Sequence, residues 1–317
     1  MVTEIISCEK CNQRLRVPTN RSKLSITCPS CRNNWTWVPS EEVKRRQTLD
    51  KIKDELFRVR SYRPKVGVFG DTGVGKSSLC NALFGKEIAD ISDVKACTRK
   101  PQDIFIGGSG NDGITLVDVP GVGEDVDRNK EYLDLYKSLS KELDLVLWAI
   151  KADDRKYISA IDAYKKILEP NIKSCPVIFV ITQIDKIEPY RDWDEVNNRP
   201  GSKQNKNLEI KINDISSRFS VPEDSIIAVS STDSYNLVEL VNKVVSVLPN
   251  DKKYAFKREA KDEHVSIEAI ESAEKGILDH IKEIAGDAWG YVKSEAVDLL
   301  IQSAPIVIKK VWKWLKR

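Results

Sequence analysis

Val66-Gly67-Val68-Phe69-Gly70-Asp71-Thr72-Gly73-Val74-Gly75-Lys76-Ser77-Ser78 reads as an apolar strand, a glycine-rich turn and the opening of a helix. Gly70, Gly75, Lys76 and Ser77 complete the pattern G-x-x-x-x-G-K-[ST]. Glycine lets the backbone come close to an anion, so the N–H groups between Gly70 and Ser78 can face a β-phosphate. Lys76 then reaches the β- and γ-phosphates, and the Ser77 hydroxyl is placed to ligate Mg²⁺. The helix expected from Lys76 to about Phe84 adds the positive end of its dipole, and Gly85 ends it.

Around this cradle, the stretch from Lys65 to about Pro249 alternates short apolar runs with helix-length amphipathic segments. That rhythm predicts an α/β domain with a doubly wound, mostly parallel sheet. The strand candidates are Lys65 to Gly70, Asp103 to Ile106, Ile114 to Asp118, Leu143 to Ile150, Val177 to Thr182 and Ile226 to Ser230. Ligands in such folds lie outside the carboxyl ends of the strands, and the polar motifs fall there. Asp118-Val119-Pro120-Gly121 leaves the third run: Asp118 is placed to hold Mg²⁺ through water, and Gly121 to offer its N–H to a γ-phosphate. Thr98, in the loop Lys95 to Pro101, is either a second hydroxyl for the metal or part of an ordinary surface turn. Thr182-Gln183-Ile184-Asp185-Lys186 leaves the fifth run, and the Asp185 carboxylate can accept both N–H bonds of a guanine edge, which adenine does not offer. Ser230-Ser231-Thr232 after the last run supports the base through backbone N–H groups.

Four of the seven cysteines form a second pattern. Cys8-x2-Cys11 is followed after 16 residues by Cys28-x2-Cys31, the spacing of a four-thiolate zinc site. So short a segment buries too little apolar surface to fold alone, and a tetrahedral Zn²⁺ supplies the missing folding energy, a structural role. A disulfide pair is the rival, disfavoured in a chain whose start, Met1 to Ser7, has no basic signal-like region. Cys80, Cys97 and Cys175 read as small buried hydrophobes. Lys10, Arg14, Arg16, Arg21, Lys23 and Arg32 with Trp35 and Trp37 describe either a solvated small domain, the favoured reading, or a nucleic-acid surface. No repeat of 20 to 50 residues stands out.

Hydrophobic content of 41% and charged content of 31% over 317 residues describe a globular chain, and a net charge of +3 decides little. Ser40 to Arg60 has a helical period with Val43, Leu49, Ile52, Leu56 and Val59 apolar and Ser40 as N-cap. After Pro249, Ile267, Ile270, Ile277, Ile281, Ile284, Ala288 and Val292 make one helical stripe. The location expected is cytoplasmic, with peripheral attachment at the inner face of a membrane through the C-terminus.

The strings Gly73 to Phe84, Ser92 to Arg99, Asp118 to Glu124 and Leu143 to Arg155 resemble the Era-like GTPases of the translation-factor-related class, and more nearly the prophage-associated bacterial GTPases of the YfjP/YeeP type. The resemblance covers about residues 65 to 250. With the cysteine pattern and the helical periods on either side, the chain is expected to divide into a zinc ribbon (1–39), which is not part of the family core, a helical linker (40–63), a P-loop GTPase domain (64–249) and a helical extension (250–317). The resemblance implies a Mg²⁺-dependent switch that binds GTP and GDP and hydrolyses GTP, with Lys76, Thr98 and Gly121 nearest the chemistry, and a protein effector or a nucleotide-dependent dimer as partner. The alternatives are a membrane- or nucleic-acid-targeted module in which nucleotide controls assembly, and a P-loop ATPase. Three positions depart from the pattern. Gln183 replaces a lysine whose stem covers the guanine ring. Val122 stands where small regulatory GTPases place a water-orienting glutamine, so hydrolysis is expected to be slow. Gly73 replaces the asparagine of potassium-activated relatives.

The C-terminus, Lys309-Lys310-Val311-Trp312-Lys313-Trp314-Leu315-Lys316-Arg317, follows the apolar Ile306-Val307-Ile308 and mixes indoles with five cations. Indoles suit the headgroup boundary, and five cations on an anionic surface contribute about 5 kcal/mol, enough for reversible attachment. The competing arrangement folds Trp312 and Trp314 back onto the core. The full chain is expected to sediment with anionic liposomes at low salt and a chain ending at Asp298 is not. Equal sedimentation rules the membrane reading out.

Overall fold

The structure is a computed structural model that describes residues 3–19, 23–85, 102–106, 113–118, 134, 137–155 and 158–303. Thr98, Gly121, Val122, Cys97 and the C-terminal Trp312 and Trp314 lie outside the described residues. Two compact units emerge, Val59–Ile277, and Met1–Arg58 with Leu278–Arg317.

The second of these begins with two hairpins, β1 (Thr3–Ser7) with β2 (Arg14–Pro18), and β3 (Leu24–Thr27) with β4 (Asn34–Trp37). They are copies of one unit 20 residues apart, so the expectation of no repeat is wrong. Cys8 N–H donates to Gln13 O at 2.9 Å and Cys28 N–H to Asn33 O at 2.8 Å. Asn12 and Arg32 both take the left-handed conformation, with φ of 57° and 59°. The repeat escapes a sequence search because little beyond the cysteines survives in it: Leu15 and Val17 answer to Trp35 and Trp37. Those side chains, with Ile6, Leu24 and Ile26, make the ribbon's small core.

Helix α1 (Glu41–Ser61) starts at Ser40, whose hydroxyl accepts from Val43 N–H at 3.4 Å. Ile52, Leu56 and Val59 are its buried stripe. His280 meets Glu55 at 2.6 Å. A hydrogen bond from Arg58, then the bond from His280, outweigh burial and hold the Glu55 carboxyl down at about 2, so the stability this cluster adds is lost only as pH falls toward that value.

In the unit Val59–Ile277 a six-stranded sheet runs in the order β10 (Ile226–Ala228), β9 (Val177–Thr182), β8 (Leu145–Lys151), β5 (Lys65–Phe69), β7 (Ile114–Asp118), β6 (Gln102–Ile106). All neighbours are parallel except the edge pair β6–β7. The strands lie within two residues of their expected ends. Alternate residues serve two cores. Val66, Val68, Leu145, Leu147, Ile178 and Val180 face one side. Phe69, Val146, Trp148, Val177, Phe179 and Ile181 face the other. A strand buried on both faces reads as an unbroken apolar run, as Val177–Thr182 does.

Helix α2 (Lys76–Phe84) follows the glycine turn and ends at Gly85, whose N–H donates to Asn81 O at 3.0 Å with φ 70°. On the aromatic side α3 (Ile158–Ala163) runs into a π-helical turn at Tyr164–Leu168, and α4 (Ser202–Phe219) packs beside it. Phe179 lies 4.7 Å from Phe219 and 5.3 Å from Tyr164, ring centre to ring centre. The other side is covered by α5 (Leu237–Val247), α6 (Lys253–Glu259) and the start of α7 (Ile267–Ala285), which continues past Gly286 into α8 (Trp289–Ser303). The expected stripe on α7 needs correcting, because Ile267 and Ile284 are exposed. The buried line runs at intervals of four through Ala269, Ala273, Ile277, Ile281 and Ala285, and the alanines let this face pack closely. Cys80 and Cys175 are buried, and burial, the largest cause, pushes the Cys175 thiol up to about 12, so it is inert.

Asp144, 2% exposed, knots the start of this domain together. It accepts from the Tyr62 hydroxyl at 2.9 Å and Lys65 N–H at 2.8 Å, and pairs with Lys252. Asp144→Ala strands a cation and an N–H in a poorly hydrated site. It is expected to cost about 3 kcal/mol, read as a lower urea midpoint at unchanged slope.

Candidate functional site

The glycine turn sits at the carboxyl end of β5, between its neighbours β8 and β7, where the sheet's order reverses. Gly70 has φ 140°, and a Cβ there would lie 2.4 Å from Ala149 O, so no larger residue fits against β8. Gly73 and Gly75 have φ of 79° and 91°, and Gly75 is the N-cap of α2. The positive φ values let the turn run directly into the amino end of α2, an arrangement suited to an anion. Lys76 Nζ donates to Gly70 O at 2.9 Å and Asp71 O at 3.2 Å, closing the turn from within. Ser77 is half-buried in the first helical turn, whereas Thr72 and Ser78 are exposed. Asp118 ends β7 opposite Val68 of β5, within the same edge of the sheet.

One further loop meets the turn, and a second meets that loop across a cavity. Thr182, buried at the end of β9, donates its hydroxyl to Val74 O at 2.6 Å and also lies 3.4 Å from Ile150 O. Gln183, left-handed at φ 56°, donates Nε2 to Gly73 O at 3.2 Å. Both side chains hold the glycine turn, a role that the sequence does not announce. Asp185, half-buried, and Lys186 then face a cavity of about 520 Å³ with Thr232 and Asp233 on the far side. Ser230 is fully buried, and its hydroxyl donates to the Asp233 carboxylate at 2.8 Å. Ser231 lies between Ser230 and the cavity residue Thr232. Tyr190 and Trp193 line the same cavity. They were missed in the sequence, where the only signal is two aromatic residues in a polar stretch soon after Asp185.

The second candidate is the cysteine cluster. The four Sγ atoms of Cys8, Cys11, Cys28 and Cys31 lie within 4.8 Å of one another, with Cys8–Cys31 and Cys11–Cys28 both at 3.6 Å. Zinc–sulfur bonds of about 2.3 Å in a tetrahedron put sulfurs about 3.8 Å apart, so the set fits Zn²⁺. All four thiols are free, against the disulfide alternative. Burial raises the Cys8 thiol, but the N–H groups of Lys10 and Cys11 and the neighbouring thiols outweigh it and bring it down to about 6.

A phosphate-binding turn at the switch point of a mostly parallel sheet, with a Thr-Gln-x-Asp loop docked on it, defines a P-loop GTPase domain. The profile of the 50S ribosome-binding GTPase family matches residues 65–183. Over 202 residues the chain is 37% identical to the uncharacterized protein YkfA of Escherichia coli (strain K12) and 36% to YfjP of the same organism, spanning 64% of this chain and 68% of each relative. GTPase Era of Thermoanaerobacter sp. (strain X514) is 27% identical over 60% of this chain and 56% of Era. Among solved structures, Aquifex aeolicus Era bound to GDP.AlF4- aligns with a TM-score of 0.43 at 27% identity, covering 58% of this chain and 56% of that one. The chain belongs to the YkfA/YfjP/YeeP family of Era-like P-loop GTPases.

Elemental analysis of the purified protein is expected to find about one zinc per chain. Cys28→Ser should lose it while the Val59–Ile277 unit still binds nucleotide. Iron, or a Cys8–Cys28 disulfide, contradicts the assignment.

Proposed function

We propose that the chain is a Mg²⁺-dependent switch that binds GTP and GDP and hydrolyses GTP slowly. The observation that carries this is the docking of Thr182 and Gln183 on the carbonyls of Val74 and Gly73, which unites a phosphate cradle and a base cavity along one sheet edge. In this reading the N–H groups from Asp71 to Ser78 and the Lys76 ammonium hold the β- and γ-phosphates. Ser77, with Asp118 through water and Thr98, holds Mg²⁺, which neutralises phosphate charge when bound. Gly121 contacts the γ-phosphate. Asp185 accepts from the guanine edge, the N–H groups of Ser230 and Ser231 support the base, and Lys186 lies at the cavity rim.

The slow rate rests on Val122, whose apolar side chain cannot orient a water, so turnover depends on electrostatic stabilisation alone unless a partner completes the site. Cys8, Cys11, Cys28 and Cys31 hold a structural Zn²⁺, and the ribbon is an added partner or targeting module. Anionic membrane at the C-terminus is the second contact.

Titration with GTP, GDP and ATP tests the reading. The parent protein is expected to prefer guanine nucleotides, and Asp185→Asn to weaken GTP by about 1 to 3 kcal/mol while favouring xanthine nucleotides, because the new amide donor faces a guanine amine but a xanthine oxygen. Equal affinity of the parent for ATP and GTP removes it. EDTA should abolish hydrolysis.

A further inference from the structure

We infer that the segment between β9 and α4, residues 188–201, is the outer wall of the base cavity, and that Tyr190 lays its ring against the guanine as an affinity-determining residue. This rests on the reading of Asp185 as the guanine acceptor.

Tyr190 and Trp193 line the cavity that Asp185 and Thr232 also line. A purine whose Watson–Crick edge meets Asp185 therefore lies among these walls. Gln183 is poorly suited to cover the ring itself. Its amide is spent on Gly73 O, and a glutamine stem has two methylenes where a lysine has four. Among the described residues Tyr190 belongs to neither core of the domain and is 56% exposed, with the Arg191 guanidinium 5.7 Å from its ring centre, which leaves ring surface open to a ligand. An aromatic face is the usual means of holding a base by stacking.

The wall is built to stay in place. Asp192 caps α4 by accepting from Lys203 N–H at 2.7 Å and Gln204 N–H at 3.2 Å. Gly201 is pressed so closely on Asp192 that a Cβ would collide with its carbonyl oxygen. The Asp194 carboxylate accepts from Asn197 N–H at 3.0 Å and from Asn197 Nδ2 at 2.7 Å, and pairs with Arg199. Trp193 anchors the segment on Tyr235, 5.8 Å between ring centres, and Asn198 donates to Asp233 O across the cavity. A backbone held in place before binding leaves the Tyr190 side chain as the part of this wall to be ordered when the base arrives. Glu195, Asp233 and Asp185 also leave the cavity rich in carboxylates, with Lys186 the one cation lining it among the described residues, which suits a base edge bearing N–H donors.

Calorimetric titration of the full chain, Tyr190→Ala and Tyr190→Phe with GDP and with pyrophosphate tests this. Tyr190→Ala is expected to bind GDP about tenfold more weakly and pyrophosphate unchanged, and Tyr190→Phe to stay within about twofold of the parent for both. Unchanged GDP affinity in Tyr190→Ala, or an equal loss for pyrophosphate, overturns the inference. A parent that binds pyrophosphate but not GDP overturns instead the guanine reading on which it rests. As a second readout, GDP should change the tryptophan fluorescence of the parent and not that of Trp193→Phe. The same change in both also overturns it.

Discussion

The hydrogen bond from the Thr182 hydroxyl to Val74 O, 2.6 Å long and wholly buried, is the contact on which the nucleotide site depends. Val74 sits inside the glycine turn, and its carbonyl would be unsatisfied if the turn moved away from β9. With Gln183 on Gly73 O and Thr182 near Ile150 O, one loop holds the turn to two strands. The separation between the glycine turn and the cavity of Asp185 is thereby set by the spacing of β5, β8 and β9. Strand spacing is among the stiffest distances in a protein, so the distance from the turn to the cavity is fixed by the sheet itself.

That stiffness comes from the two cores. Trp148, Phe179, Tyr164 and Phe219 interlock on one face, and the Val, Leu and Ile side chains of the same strands meet α2, α5 and α7 on the other. Removing any large ring from the aromatic side opens a void that its neighbours fill poorly. Gly67 belongs to the same constraint: a Cβ there would lie 2.6 Å from Leu143 Cδ1 and 2.8 Å from Phe69 Cε1, so a side chain at that point would make both core residues shift.

The ribbon obeys a different economy. Among the described residues its apolar cluster is seven side chains from two hairpins, of which Val17, Ile26 and Trp37 are buried. So little burial cannot hold four strands, and the inward convergence of four sulfurs is what a metal would tie. The two knuckles are related by a 20-residue repeat in which the turn geometry is kept and the packing residues are exchanged, small aliphatics in one copy facing tryptophans in the other. A tetrahedral ion needs two such knuckles facing one another, and duplication of one hairpin meets that need.

Local chemistry made much of this legible from the chain alone. The cradle could be read because Gly70, Gly75, Lys76 and Ser77 must be neighbours to work, and the cysteine pairs because thiolate spacing within a knuckle is short. The alternation of Val66, Val68 and their counterparts announced the strands, since burial on both faces demands unbroken apolar runs. Long-range contacts were not legible. That Thr182 serves Val74, that Asp144 gathers Tyr62, Lys65 and Lys252, and that Tyr190 comes to the cavity of Asp185 all depend on how strands distant in sequence lie side by side. The buried line on α7 was misread for a related reason: period alone marks the isoleucines, but the closeness of approach that selects Ala269 and Ala273 is a property of the packed domain. The sequence by itself determined which elements form and what chemistry each carries. The tertiary structure alone decided which of those chemistries meet, because hydrogen bonds and ring contacts between remote residues exist only once the sheet order has placed them within reach.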